Sequence, residues 1–321
     1  MAPFGRDTTG EEVAKTFARG VEGKVIVITG PSAGGIGAET AISLASANPK
    51  QLILLGRTEA KISPVLDEIK KINPAISAKF IKLDLGNLSS VREAASTINE
   101  RVSHIDVLIN NAGIMAVKQY TKTVDGFESQ LATNHLGHFL LTNLLMGKLL
   151  AAGEGAKIVN LSSMGYELSE FRFDDWNFSD GATYHPWSAY AQSKTANILF
   201  THALARKLAD KGVFSFAIQP GYVPDSKLQD DVTQEMFMEG YNMAVERMGP
   251  DFIGVDPPKS LQCGSSTTLV AALDPALTGS SSAFLQDCAI REGIKEYATS
   301  AENVGRLWAL SEELVGEKFA Y

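Results

Sequence analysis

Tyr190 and Lys194 stand four residues apart in a stretch of helical periodicity, so both side chains leave one helix face about one turn apart. A phenol titrates near pH 10 in water and is a poor acid–base group at neutral pH. An ammonium about 5 Å away, at an effective dielectric near 20, favours the phenolate by roughly 3 kcal/mol, or about two pKa units. That predicts a lowered Tyr190 pKa and a hydroxyl able to trade a proton with a substrate oxygen. Upstream, residues 157–161 (KIVNL) read as a strand that delivers Ser162 and Ser163 at its C-terminal end, the edge where parallel sheets bind ligands. A hydroxyl there can hydrogen-bond the carbonyl oxygen that Tyr190 protonates. Asn134 falls inside a helical stretch, where asparagine is a mediocre helix former. It reads either as an ordinary polar residue or as the mark of a local kink or water site.

A second chemistry-bearing stretch is Thr29-Gly30-Pro31-Ser32-Ala33-Gly34-Gly35-Ile36-Gly37, which follows a β-branched run and opens a helix. Glycines allow the tight turn and let backbone N–H groups approach a diphosphate at the positive end of that helix. A dinucleotide is the expected ligand. Folds selective for NAD usually hold the ribose 2′-OH with an acid at the end of the second strand, whereas an arginine accommodates a 2′-phosphate. Here the second strand runs into Leu55-Gly56-Arg57-Thr58, so the acid is missing and Arg57 points to NADP(H).

These residues need a parallel sheet to position them. From residue 24 onward short β-branched runs alternate with longer amphipathic stretches, the sequence form of repeated βαβ units. Strands are predicted at 24–29, 51–55, 79–83, 106–110, 157–161, 213–218 and 283–286. Helices are predicted near 36–47, 59–72, 88–102, 125–150 and 188–211. The expected fold is α/β: a Rossmann-type, doubly wound, mostly parallel seven-stranded sheet with helices on both faces. Continuous hydrophobicity in the first and fourth strands predicts burial on both faces. Residues 1–22 read as an N-terminal extension whose Thr9 and Glu12 fit a capping box, and residues 23–321 as one domain. Two insertions, 164–189 and 221–258, break the rhythm, and long loops inside a compact fold are usually functional.

Composition limits the function classes. With 45% hydrophobic and 21% charged residues the chain is an ordinary globular enzyme rather than a disordered or fibrous protein. Lys plus Arg is 29 and Asp plus Glu 37, a formal charge of −8, which disfavours nucleic acid as a partner. Cys263 and Cys288 are too few for a disulfide framework and suit a reducing compartment. Neither a membrane span nor a secretory leader is legible, so the expected location is cytoplasmic. The histidines show no metal-ligand spacing, and no metal is expected.

Together the motifs resemble the short-chain dehydrogenase/reductase family, and within it the retinol-dehydrogenase-like branch and its fungal relatives, over about residues 20–318. The motifs that carry the resemblance are the glycine loop, Asp84-Leu85, Asn110-Asn111-Ala112-Gly113, Asn134, Ser163, Tyr190-Ala191-Gln192-Ser193-Lys194 and Pro220-Gly221. The resemblance implies roles for single residues. Tyr190 would donate a proton during reduction, Lys194 would lower its pKa and bind the nicotinamide ribose, Ser163 would polarise the carbonyl, and Asn134 would hold a water linking Lys194 to solvent. Gly30, Ser32, Gly34, Gly35 and Ile36 would face the diphosphate, with Asp84 and Leu85 beside the adenine. Asn110, Asn111, Ala112 and Gly113 would line the cofactor after the fourth strand, and Pro220, Gly221 and Val223 would flank the nicotinamide. The glycine loop has four residues between Gly30 and Gly35 where three is usual. Where the family supplies a threonine after Pro-Gly, this chain has Tyr222-Val223-Pro224-Asp225-Ser226, and Ser226 is favoured over Asp225 for that place.

The first insertion contributes Tyr166, Phe171, Phe173, Trp176, Tyr184, His185 and Trp187, and the second Met236, Met238, Met243 and Met248, with Phe237, Tyr241 and Met248 on one helical face. As a set they suit an adaptable apolar pocket for a lipophilic ketone or alcohol, although any single one is more ordinarily packing. A redox-neutral epimerase, dehydratase or cyclase is the rival reading, and an inactive NADPH-binding protein a third. Homodimers or homotetramers are the assemblies the resemblance implies.

Overall fold

Val25 and Val27 face one side of strand β1 (Val25–Thr29) and Ile26 and Ile28 the other, and each pair joins a separate hydrophobic cluster. That two-sided burial is what the uninterrupted apolar run dictates, since a strand with helices on both faces has no wet side. In the computed structural model, which describes residues 4–321 other than 250, 251 and 253, β1 is central to an eight-stranded sheet in the order β3-β2-β1-β4-β5-β6-β7-β8. The remaining strands are β2 (Gln51–Gly56), β3 (Ser77–Lys82), β4 (Val107–Asn110), β5 (Ala156–Leu161), β6 (Val213–Ile218), β7 (Phe284–Gln286) and β8 (Ala289–Ile290). All neighbouring pairs are parallel except β7 with β8. The order reverses between β1 and β4, which puts a crevice at the carboxyl ends of those strands.

Helices α1 (Gly10–Thr16), α2 (Ile36–Ala45), α3 (Ser63–Ile72), α4 (Leu88–Arg101), α5 (Gly137–Leu144), α6 (Met146–Ala151), α7 (Pro186–Lys207), α8 (Gln234–Met248), α9 (Leu261–Leu273) and α10 (Ala301–Val315) complete the frame. The capping box at Thr9 and Glu12 is present, and Val13, Ala14 and Val21 of the N-terminal segment are buried in the cluster that holds Ile26 and Ile28. Among the described residues no helix is long and apolar enough to cross a membrane.

The structure departs from the sequence expectation in three places. The seven-stranded sheet has an eighth strand, because Asp287 and Cys288 take positive φ (50° and 65°) and close a two-residue hairpin without the Asn-Gly or Asp-Gly pair that usually announces one. The continuous helix expected over 125–150 is broken into Ser129–Leu131, a π-helical turn Ala132–Leu136, α5 and α6. Asn134 sits within that π turn, where π turns mark functional sites, so the kink reading of Asn134 is the one observed. Helices α9 and α10 were not anticipated; α9 lies on the β1 face through Leu269 to Ala272, and α10 on the other through Val304, Leu307 and Trp308.

Candidate active site

The carboxyl ends of the central strands open on a cleft of about 1600 Å³. Its floor at the dinucleotide end is fixed by the backbone. Gly30 has φ +68°, and a Cβ there would stand 2.7 Å from Ala112 Cβ; a Cβ on Gly37 would stand 2.3 Å from Asn111 Nδ2. Only glycine lets the two loops meet so closely. They are then laced together: Asn111 Nδ2 donates to the carbonyl oxygens of Thr29 (2.8 Å) and Gly30 (3.3 Å), and Thr29 Oγ1 accepts from the N–H groups of Asn111 (2.9 Å) and Ala112 (3.0 Å). His138 extends the lacing inward, with Nε2 2.8 Å from Thr29 Oγ1 and Nδ1 3.0 Å from the Asn134 carbonyl oxygen. Since that carbonyl can only accept, Nδ1 carries the proton and Thr29 donates to Nε2. Burial pushes the His138 pKa down to about 4, so it stays neutral at working pH.

Gly30, Ser32, Gly35 and Ile36 line the cleft where α2 begins, and the unpaired N–H groups of its first turn form a cradle for a phosphate. Gly34 is the exception: at φ +80° it packs on the Lys227 side chain and does not line the cleft. Beyond β2, the exposed Arg57 lines the adenosine end with Thr58, and Asp84 and Leu85 line it from the end of β3. Lys61, in the 3₁₀ turn Glu59–Lys61, adds a second cation there that the sequence reading missed. Asn110, expected to line the cofactor, instead lies beneath the cleft, where its Nδ2 donates to Thr142 Oγ1 (2.9 Å) and Asn160 Oδ1 (2.8 Å). Asn111, Ala112 and Gly113 do line it. The cradle and the glycine approaches fit a nicotinamide dinucleotide, with two cations at its far end.

Helix α7 starts at Pro186 behind the cap His185, and nearly every side chain from Ala189 to Leu204 is buried. That burial brings Tyr190 and Lys194 onto the cleft wall beside Ser163, which follows β5. Lys194 Nζ donates to the Leu161 carbonyl oxygen at 3.1 Å and lies 5.5 Å from the Tyr190 ring centroid. Ser162 Oγ ties α7 to β5 by donating to the Lys194 carbonyl oxygen at 2.9 Å, leaving Ser163 to face the cleft. Asn134 stands behind them and does not line the cleft. Its Nδ2 donates to the Ile114 carbonyl oxygen and to Ser193 Oγ (both 2.9 Å), and its Oδ1 accepts from Ile114 N–H at 2.8 Å. Its side chain is therefore a clamp, and its own main-chain carbonyl oxygen meets His138. A Cβ on Gly113 would stand 3.2 Å from Asn134 Oδ1 and 3.5 Å from Lys194 Nζ, so this glycine too marks a close approach.

The electrostatics run against the expectation that Lys194 depresses the Tyr190 pKa. Burial pushes the phenol up to about 12, with the neighbouring Ser163 hydroxyl pulling the other way, and burial pushes Lys194 down to about 8. Burial is the largest cause for both groups, and Lys194 has already lost its proton at the pH where the phenol would ionise. Tyr190 at rest is a neutral acid, poised to give a proton rather than take one.

After β6, Pro220, Gly221, Val223 and Ser226 line the opposite wall. Gly221 has φ +91°, and a Cβ there would meet Lys259 Cδ at 2.9 Å. Lys259 is buried with its ammonium on Asp287 and so braces this turn. Ser226 is buried and lines the cleft, whereas Asp225 is exposed and does not. On the substrate side the aromatic set of the first insertion divides sharply. Trp187 lines the cleft, but Phe171, Phe173 and Trp176 pack into the core, Tyr166 into a cluster under β7, Tyr184 against Tyr120 and Phe178, and His185 caps α7. Of the four methionines Met248 lines the cleft, with Phe237 and Tyr241 on the same face of α8. Met236 and Met243 pack against Trp187 and Tyr190, and Met238 is exposed. The hairpin β7–β8 brings Arg291 to the cleft, paired with Glu167 at 3.1 Å, a residue with no sequence signal because its hairpin had none.

A family model for short chain dehydrogenases matches residues 24–173. Short-chain dehydrogenase/reductase prx1 of Penicillium roqueforti is 36% identical over 302 residues, 90% of this chain and 84% of that protein. Retinol dehydrogenase 13 of Homo sapiens is 36% identical over 303 residues, 92% of this chain and 86% of that protein. A crystal structure of an uncharacterized protein from Mycobacterium paratuberculosis superposes with a TM-score of 0.70 at 34% identity, covering 95% of this chain and 98% of that one.

Proposed function

Because the chain belongs to the short-chain dehydrogenase/reductase family, in its retinol-dehydrogenase-like branch, and is therefore an oxidoreductase of alcohol and carbonyl groups, we propose that it is NADP(H)-dependent and interconverts a ketone or aldehyde and an alcohol on a hydrophobic or aromatic small molecule. The observation that carries this reading is a buried neutral phenol, Tyr190, beside Ser163 on the wall of a cleft whose other end is a glycine cradle. When bound, the nicotinamide supplies hydride to the carbonyl carbon. Ser163 orients the carbonyl by donating to its oxygen, and Tyr190 gives that oxygen its proton. Lys194, held by the Leu161 carbonyl oxygen, carries the positive charge that stabilises the phenolate left behind, and would hold the ribose of the bound dinucleotide. Arg57 and Lys61 favour the 2′-phosphate. Phe237, Tyr241, Met248 and Trp187 support a lipophilic substrate.

The test is a panel of aromatic, terpenoid and polyketide ketones scored by NADPH and NADH oxidation. Turnover with NADPH on lipophilic carbonyls is expected. Substrate conversion without cofactor consumption would replace this reading with a redox-neutral one.

A further inference from the structure

Helix α8 crosses the substrate end of the cleft and is fastened near both ends. Near its start Trp187 Nε1 donates to the Met236 carbonyl oxygen at 2.7 Å, and His185 Nε2 stands 3.2 Å from Glu239 Oε1. Near its end Arg247 Nε donates to the Glu167 carbonyl oxygen at 2.8 Å. Along its length α8 shows Phe237, Gly240, Tyr241, Ala244 and Met248 to the cleft. Gly240 is the point of nearest approach: a Cβ there would stand 2.7 Å from Trp187 Cε2 and 2.9 Å from its Nε1. This glycine is helical, so it is required for space and not for backbone conformation. The indole also meets Tyr190 edge to face, with centroids 6.2 Å apart and planes at 84°. The indole thus touches both the proton donor and the helix that roofs the cleft, with Met236 and Met243 of that helix in the same cluster.

We propose that the Trp187–Gly240 contact sets the width of the substrate cleft, which makes Trp187 a specificity-determining residue that selects against bulky carbonyl compounds. A roof tied near both ends keeps one height, and that height is the thickness of an indole against a glycine. The inference rests on the proposed function, since its ligand is the lipophilic carbonyl compound named there.

The experiment titrates acetophenone and 4-tert-butylacetophenone into the protein saturated with NADP⁺, a complex with no hydride to transfer, so that binding is read without turnover. Trp187→Ala is expected to shift the affinity ratio toward the larger ketone by at least about tenfold, the lower end of the scale for one methylene group in an apolar pocket. Gly240→Ala, which pushes α8 off the indole, shifts it the same way by about threefold or more. Trp187→Phe, which keeps a ring on Tyr190 and loses the Met236 bond, gives a smaller shift and remains informative if Trp187→Ala does not fold. NADP⁺ affinity stays within about twofold throughout. An unchanged ratio in the variants that fold, a shift toward the smaller ketone, or failure of the wild type to bind either ketone would overturn the inference. Failure of the oxidoreductase reading looks different: the ketones bind and the ratio responds, but the wild type never consumes NADPH.

Discussion

The dinucleotide end and the substrate end of one cleft are built by different means. At the first, backbone meets backbone: Gly30 and Gly37 let the loops after β1 and β4 close to distances that any Cβ would forbid, and Asn111 and Thr29 lace them. At the second, side chains from two insertions pack on one another, with Trp187 against Gly240 as a contact of comparable closeness. A site fixed by backbone tolerates little change in residue type; a site fixed by packing accepts many apolar residues of similar volume. The two ends should therefore yield differently to mutation.

The steepest loss is expected inside the catalytic group that joins the ends. Lys194→Met should lower kcat by roughly 10³-fold, the range of one acid–base group, while a fall under tenfold would remove the lysine from the chemistry. At the backbone end, Gly37→Ala should weaken NADPH binding by about 30-fold by breaking the Asn111 bonds, read by calorimetry. Unchanged affinity would mean that the lacing does not shape the cradle. Arg57→Ala should cut the preference for NADPH over NADH about tenfold, a modest effect because the guanidinium is exposed and screened. The pH profile sharpens the same division. Lys194 is charged below about pH 8 and Tyr190 keeps its proton to about pH 12, so kcat/KM for NADPH, which reports the free enzyme, should be level toward neutral pH and fall as pH rises through about 8. A decline only above pH 10 would show that burial does not depress this lysine. The smallest effect is expected at Tyr184, which does not line the cleft and whose hydroxyl donates at 2.6 Å to the carbonyl oxygen of Val117, a lining residue, and accepts from Gln130 Nε2 at 3.0 Å. Tyr184→Phe should cost about 1 kcal/mol in thermal unfolding and leave KM within twofold.

The same contrast governs what the sequence disclosed. Glycines that permit a close approach, buried strands and a tyrosine and lysine one turn apart all leave local signatures, so the sheet, the cradle and the positions of Tyr190, Lys194 and Ser163 on the cleft could be read from the residues. Asn110, the last residue of β4, and Gly34, in the glycine loop, face away from the cleft although their neighbours line it, which spacing alone does not resolve. The aromatic insertion behaves differently: most of its residues pack, the ordinary role for any single one, but a buried core aromatic and a pocket aromatic have the same composition, so Trp187 could not be singled out. Arg291 and β8 depend on a hairpin of Asp287 and Cys288 in left-handed conformations that neither residue advertises. The Tyr190 pKa was misjudged because a field calculation omits the water both groups lose on burial.

Tyr190→Phe measures the central claim with least ambiguity, because the ring that packs on Trp187 is kept and a single hydroxyl is removed. The account predicts NADPH binding within about twofold of wild type and ketone reduction slower by roughly 10³- to 10⁴-fold. Full turnover by this variant, with the dinucleotide bound, would contradict it.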